Sequence, residues 1–175
     1  VVANTKTFTM MENFFRNMDL GDRKLVVANG ESLTLGKHVL TFVFAPMVHW
    51  PETMMTFDET DGVLFSGDGF GCFGTVDGGF LDTRINLDKY WGEMVRYYSN
   101  IVGKYGSPVQ KALQKLGGLP ISAICSTHGP VWTENIARVI GIYDRLSRYD
   151  ADEGVVIAYG SMYGNTEPVS YTHLR

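Results

Sequence analysis

TFVFAPMVHWPETMMTFDETDGVLFSGDGFGCFG, Thr41 to Gly74, is the stretch on which the reading of this chain turns. It opens within an apolar run, Val39 to Ala45, where β-branched and aromatic residues dominate and Pro46 closes the segment, the pattern of a buried strand. His49 follows where the backbone has left that strand. A second short run, Val63 to Ser66, ends on Gly67-Asp68-Gly69, so Asp68 stands just past another strand end. Two strands thus deliver an imidazole and a carboxylate to one rim. In a layered α/β sheet that rim is where a rigid scaffold meets variable loops, and where chemistry collects.

Working outward toward the start, Thr53 to Phe57 reads as a strand joined to Val63 by an Asp61-Gly62 hairpin turn. Lys24 to Ala28, Ser32 to Leu35 and His38 to Ala45 are further short strands, separated by Asn29-Gly30 and Gly36-Lys37 turns, with His38 an exposed strand start. Thr7 to Asn17 carries Phe8, Met11, Phe14 and Phe15, with Met18 beyond, at helical spacing; Thr7 is the expected cap and the stripe is expected in the core. Val1 to Ala3 reads as a strand remnant without an initiator Met, and the natural N-terminus is expected upstream.

Toward the other end, helical periodicity takes over at Asp88. Asp88 is expected to cap a helix to about Lys104, with Tyr90, Trp91, Met94, Val95, Tyr98, Ile101 and Val102 on its apolar face. Ser107-Pro108 opens a second helix to Leu116. Ile121 to Cys125 is a strand that ends on Ser126-Thr127-His128-Gly129-Pro130, so a third strand delivers a third ligand type. Glu134 to Arg148 is an amphipathic helix, Tyr149 to Gly154 a polar connection, and VVIAY, Val155 to Tyr159, an apolar strand of the parallel-sheet kind. Pro168 to Arg175, PVSYTHLR, interrupts an incipient helix and resembles a translated adapter tail; it is expected to be non-native and is set aside, His173 included.

The chain has 175 residues, 45% hydrophobic and 13% aromatic, which is the composition of a globular chain able to bury a sizeable core. Nineteen acidic against fifteen basic residues, the latter scattered, leave no electrostatic footprint for nucleic acid. No run approaches the length of a membrane span and no signal segment opens the chain, so a cytoplasmic setting is expected. Cys72 and Cys125 form neither a CxxC pair nor a framework and read as small buried hydrophobes.

His49, Asp68 and His128 are the candidate metal ligands and catalytic positions. Each alone has a plain reading, as a loop histidine, a turn-forming aspartate or a capping histidine. Together, each at the end of an apolar strand and flanked by Gly or Pro, they offer the imidazole and carboxylate donors of zinc or non-haem iron sites, and an aspartate can bridge two metals. They lie too far apart in sequence for a local finger and can meet only through the fold. Trp50 and Phe70 wall this pocket or belong to the core. Glu93, Arg96, Tyr97 and Tyr98 read as packing, and Cys72 is not placed as a ligand.

APMVHWPETM, LFSGDGFGCFG, RYYSNIVGKYG and ICSTHGPVW, in this order, resemble the diiron half of the flavodiiron proteins (A-type flavoproteins) over about Val1 to Glu167. The resemblance implies an α/β fold, an incomplete metallo-β-lactamase-like αββα sandwich over residues 1–150. It implies that His49 binds one iron, Asp68 bridges both and His128 binds the other. The family's remaining ligands come from an HxExDH segment, which does not occur in these 175 residues and is expected upstream. Completion of a dinuclear site, and activity, are therefore expected only of a longer parent.

The apolar VVIAY run followed by Gly160-Ser-Met-Tyr-Gly-Asn-Thr166 carries hydroxyls at Ser161 and Thr166, an amide at Asn165 and backbone N–H groups before an expected helix, which makes an anion cradle. It resembles the FMN phosphate loop that opens a flavodoxin-like doubly wound domain, here residues 151–167, with 168–175 the non-native tail. Ser161, Met162, Tyr163, Gly164, Asn165 and Thr166 are the cofactor-binding candidates. The family implies iron and FMN as cofactors, dioxygen or nitric oxide as substrate, rubredoxin or a flavin reductase as electron donor, and a head-to-tail homodimer in which one subunit's flavin serves the other's metals. The alternatives are a zinc-dependent hydrolase of the same fold and a non-catalytic metal- or FMN-binding module.

Overall fold

The structure is a computed structural model that describes residues 1–76 and 78–172. At its centre β3 (Ser32–Leu35), β4 (His38–Phe44), β5 (Met54–Asp58), β6 (Val63–Gly67) and β7 (Ala123–Ser126) lie side by side in chain order as one mixed sheet. Strands β3 to β6 are antiparallel neighbours, whereas β6 and β7 run parallel. A parallel pair needs a long crossover, and the segment between β6 and β7 carries α2 (Asp88–Tyr97) and α3 (Gly106–Leu116). Two reversals separate β4 from β6, so β4, β6 and β7 all point the same way. Their C-terminal ends share one rim of the sheet, and the start of β4 shares the opposite rim with the end of β5.

Val43, Met55, Phe57, Leu64 and Ile124 alternate onto one face and are buried there. They meet Met94, Tyr97, Val109, Leu116, Val139 and Tyr143 from α2, α3 and α4 (Ile136–Ser147), and Val102 from the segment between α2 and α3, in a single apolar cluster. Each fully buried side chain of this kind contributes roughly 1.5–3 kcal/mol. The neighbouring Phe65 points to the other face and is half-exposed. β1 (Val2–Ala3) and β2 (Leu25–Val26) form a separate parallel pair around α1 (Thr5–Phe14). Asn4 ties this unit to the main sheet by donating its amide to the Glu52 carbonyl at 2.8 Å.

Several sequence expectations shift. Asn4 caps α1, its Oδ1 accepting the Thr7 N–H at 3.0 Å, so the helix begins before Thr7. It ends at Phe14, and the periodicity that aligned the aromatic stripe ends with it: Phe8 is buried, while Phe14, Phe15 and Met18 are exposed. Asp88 lies inside α2, its N–H held by Asn86 Oδ1 at 3.1 Å. The helix passes into a π turn over Tyr98–Val102, which lets the consecutive Tyr97 and Tyr98 both face the core.

Val155 to Tyr159 does not form a strand. A strand exists by pairing, and no ladder among the described residues includes this segment, whose Val155 and Val156 are exposed. Pro168 does not break a helix. It occupies the first turn of α5 (Thr166–Thr172), where its missing N–H has no intrahelical partner to lose. His173 lies outside the described residues.

Candidate metal centre

The loop after β4 is closed by its own backbone, Met47 N–H to the Trp50 carbonyl at 2.7 Å and Ala45 N–H to the Thr53 carbonyl at 3.0 Å, with His49 at its tip. At β6 the register with β7 slips between Phe65 and Gly67, and Gly67 turns the chain at φ 58°, a left-handed conformation that favours glycine. Ser66 then clasps the turn, its hydroxyl donating to the Gly69 carbonyl at 2.6 Å. At β7 the Thr127 N–H and the Ser126 hydroxyl both donate to the Gly67 carbonyl, at 2.8 and 3.1 Å. The two parallel strand ends are thus strapped together directly beneath Asp68.

His49 Nε2 lies 3.1 Å from Asp68 Oδ2, and His128 Nε2 lies 3.4 Å from Asp68 Oδ1. The Thr127 hydroxyl donates to Oδ1 at 2.7 Å and so fixes the plane of the carboxylate. One carboxylate therefore turns a different oxygen toward each of two imidazoles. The side chains of His49 and Asp68 are 25% and 30% exposed and that of His128 is 57% exposed, so the group is partly open to solvent. Asp68 also borders a cleft of about 530 Å³ lined by Val48, Trp50, Glu52 and Gly67. Glu52 Oε2 is buried there with no hydrogen-bond partner among the described residues. Two imidazoles on opposite oxygens of one carboxylate, with an unpartnered acceptor nearby, fit two divalent cations bridged by Asp68.

A second layer holds these groups in place. The Tyr97 hydroxyl donates to the Asp68 carbonyl at 3.2 Å, and its ring lies 5.8 Å from the His128 ring, centroid to centroid. Burial, with the Asp68 carboxylate adding to it, pushes this phenol well above its ordinary value, so it remains a donor. Gly71 is glycine because a Cβ there would lie 2.6 Å from the Tyr97 ring. Trp132, fully buried, donates its indole N–H to the Phe70 carbonyl at 3.0 Å and stacks on Trp91 at 5.6 Å. Tyr97 read as packing in the sequence, because a tyrosine at helical apolar spacing carries no other signal.

Cys72 is buried and donates to the Phe73 and Tyr90 carbonyls at 3.1 and 3.3 Å; burial pushes its thiol up to about 12, which keeps it out of thiolate chemistry. Its N–H donates to the His128 carbonyl at 3.2 Å. The following Gly129 has φ 86°, and a Cβ there would stand 2.7 Å from Cys72 Cβ. Gly129→Ala is therefore expected to cost about 2–4 kcal/mol from backbone strain and overpacking. Urea unfolding measures that cost, and an unchanged midpoint would show that the loop carrying His128 is not clamped by Cys72.

Phe70 belongs to the core, packed on Tyr143 at 4.9 Å, whereas Trp50 is half-exposed at the cleft. Ser161 to Thr166 form an exposed turn leading into α5, in which Ser161 Oγ accepts the Thr166 N–H at 3.2 Å. The strand expected before it is absent.

A family model described as ODP family beta lactamase matches residues 2–129, a span that includes His49, Asp68 and His128. The chain is 29% identical over 173 residues to a nitric oxide reductase of Moorella thermoacetica, covering 98% of this chain and 43% of that protein. It is 35% identical over 143 residues to an anaerobic nitric oxide reductase flavorubredoxin of Vibrio vulnificus, covering 80% of this chain and 29% of that one. Among solved structures, rubredoxin oxygen:oxidoreductase from Desulfovibrio gigas superposes with a TM-score of 0.88 at 30% identity, over 97% of this chain and 43% of that one. A mutant flavo di-iron protein from Thermotoga maritima superposes at 0.85 with 28% identity, over 97% and 42%. The chain spans less than half the length of each of these relatives.

Proposed function

Because the chain belongs to the ODP family of beta lactamases and its relatives are flavodiiron proteins, we propose that it is the metal-holding region of a flavodiiron oxidoreductase. The intact enzyme reduces dioxygen to water, nitric oxide to nitrous oxide, or both. The mixed α/β fold is metallo-β-lactamase-like. On this reading residues 1–150 form the iron domain and residues 151–167 begin an FMN domain. The observation that carries it is the Asp68 carboxylate, one oxygen toward His49 Nε2 and the other toward His128 Nε2.

Three residues of this chain would then hold the metals, His49 one, His128 the other and Asp68 both. Iron held by these residues would make the centre redox-active, and FMN in the parent would be the source of its electrons. The chain's own residues keep the donors fixed while charge on the centre changes. Thr127 holds one bridging oxygen by its hydroxyl, and Tyr97 holds the backbone carbonyl of the bridging residue. Preorganised donors of this kind need no reorganisation at the moment of reaction. Ser161, Met162, Tyr163, Gly164, Asn165 and Thr166 would cradle the FMN phosphate. Rubredoxin or a flavin reductase is the proposed electron donor, and a head-to-tail homodimer is the proposed assembly. Among the described residues no helix is long and apolar enough to cross a membrane; the proposed setting is the cytoplasm.

The test is metal and flavin analysis of the full-length parent purified without oxygen, followed by turnover with each gas. About two irons and one FMN per chain, with gas consumption, is the expected result. Two zincs without flavin would move the protein to the hydrolases, and neither metal in quantity would leave only a binding module. Tyr97→Phe in the same parent is expected to keep its iron while kcat falls about tenfold or less, the effect of losing one positioning hydrogen bond. Loss of iron from that variant would instead make Tyr97 part of the metal-binding scaffold.

A further inference from the structure

At the rim opposite Asp68, His38 opens β4, Asp58 closes β5, and Asp61 sits in the turn between β5 and β6. The antiparallel register pairs Leu40 with Asp58, and His38 lies two residues from Leu40 on the same face, so His38 and Asp58 are diagonal neighbours across the sheet. His38 Nδ1 is 2.7 Å from Asp58 Oδ2 and 3.8 Å from Asp61 Oδ2. The three donor atoms all lie within 4.8 Å of one another. Asp58 is buried and the side chains of His38 and Asp61 are exposed, 45% and 60%, so the group is anchored at its base and open at its mouth.

The arrangement has a feature that a simple ion pair does not require. Both carboxylates converge on one and the same nitrogen. A proton on Nδ1 can serve only one acceptor well, and Asp58 already accepts it. Asp61 is free on the solvent side, yet its oxygen faces the same atom. The Asp58 oxygens are held by the Thr60 N–H as well as by His38. Two anionic oxygens around one imidazole nitrogen are what a cation needs. Donors around tetrahedral zinc stand about 3.3 Å apart at ordinary bond lengths, and the observed 2.7 and 3.8 Å bracket that spacing.

We propose that His38, Asp58 and Asp61 form a surface binding site for a divalent first-row transition cation, with His38 Nδ1 and one oxygen of each carboxylate as ligands and water completing the shell. The imidazole favours zinc, copper, iron or nickel over calcium, magnesium or manganese. The site lies along β4 from His49, which at strand rise is roughly 20 Å away. A bound cation would staple the start of β4 to the β5–β6 turn. That would make stability depend on cation concentration through preferential binding to the folded chain.

The test is a zinc titration of the intact protein at constant pH with nitrogen-15 in its histidines, reading the imidazole signals. His38 is assigned by the signals that vanish in His38→Ala. The expected result is a stoichiometric zinc-dependent shift of His38, with zinc affinity at this site reduced at least about tenfold in Asp61→Asn, a loss no smaller than outer ligand-shell changes produce. Asp61 is exposed and its substitution leaves the sheet intact, which the unchanged backbone amide spectrum checks. Signals of His38 that stay still while those of His49 and His128 move overturn the proposal. So does a His38 shift of equal affinity in Asp61→Asn, which would reduce the site to one imidazole.

Discussion

Replacing Asp68 by Asn in the full-length parent is expected to strip the metal centre, leaving less than about a tenth of the iron and lowering turnover by at least about 100-fold. The amide keeps the shape of the carboxylate but has a single acceptor oxygen and no charge. With Thr127 still donating to that oxygen, the NH₂ group is turned toward His49 Nε2, where the structure has Oδ2. The variant therefore lacks a bridge and presents a donor where a metal is needed. Its fold should be unaffected, because the side chain is partly exposed and the Ser66, Ser126 and Tyr97 bonds that shape the turn all go to backbone carbonyls. The measurement is elemental analysis together with a thermal melt. A full complement of iron in Asp68→Asn would sink the bridging role, and a collapsed melt would reassign Asp68 to the scaffold.

Asp82→Ala is expected to be the most damaging change to stability, at about 3–4 kcal/mol. Asp82 is 2% exposed, yet both oxygens are occupied. Oδ1 accepts the Thr133 hydroxyl at 2.6 Å. Oδ2 accepts the Glu134 and Asn135 N–H groups at 3.1 and 2.9 Å and the Asn135 amide at 3.0 Å. These donors lie just before α4, so the carboxylate organises the entry to that helix where local capping is absent. Truncation would leave four donors to find water in a closed space.

The same residue sets a pH dependence. Burial alone would raise the Asp82 carboxyl, but its hydrogen bonds from Thr133 and Asn135 reverse this and hold it below its ordinary 3.8. The folded chain thus binds the proton more weakly than the unfolded one. The stabilisation is fully present above about pH 4 and is lost as pH falls through the folded value. Urea midpoints of the native chain and of Asp82→Asn should differ at pH 7 and converge in acid. A gap that stays constant down to pH 3 would show that the Asp82 charge contributes nothing.

His49, Asp68 and His128 were legible as a set because each follows an apolar strand and stands beside Gly or Pro, a pattern written in local sequence. The strands themselves were legible for the same reason, since alternation and turn residues act over a few positions. The aromatic stripe of α1 failed because periodicity cannot say where a helix stops or which face finds a partner; Phe14 and Phe15 ended outside. VVIAY failed as a strand because composition gives a segment β character but pairing makes it a strand.

Tyr97, Asp82 and the His38, Asp58 and Asp61 group lay beyond the sequence altogether. Each acts across the fold: Tyr97 reaches Asp68 from a helix, Asp82 reaches Thr133 to Asn135 from a distant loop, and His38 meets Asp58 across two strands. By itself, then, the sequence determined which residue types stand at which strand ends, because short-range sterics and hydrophobic alternation are encoded locally. Only the tertiary structure decided that β4, β6 and β7 end at one rim and that a single carboxylate faces two imidazoles there, because strand direction and register come from long-range pairing whose partners no local pattern names.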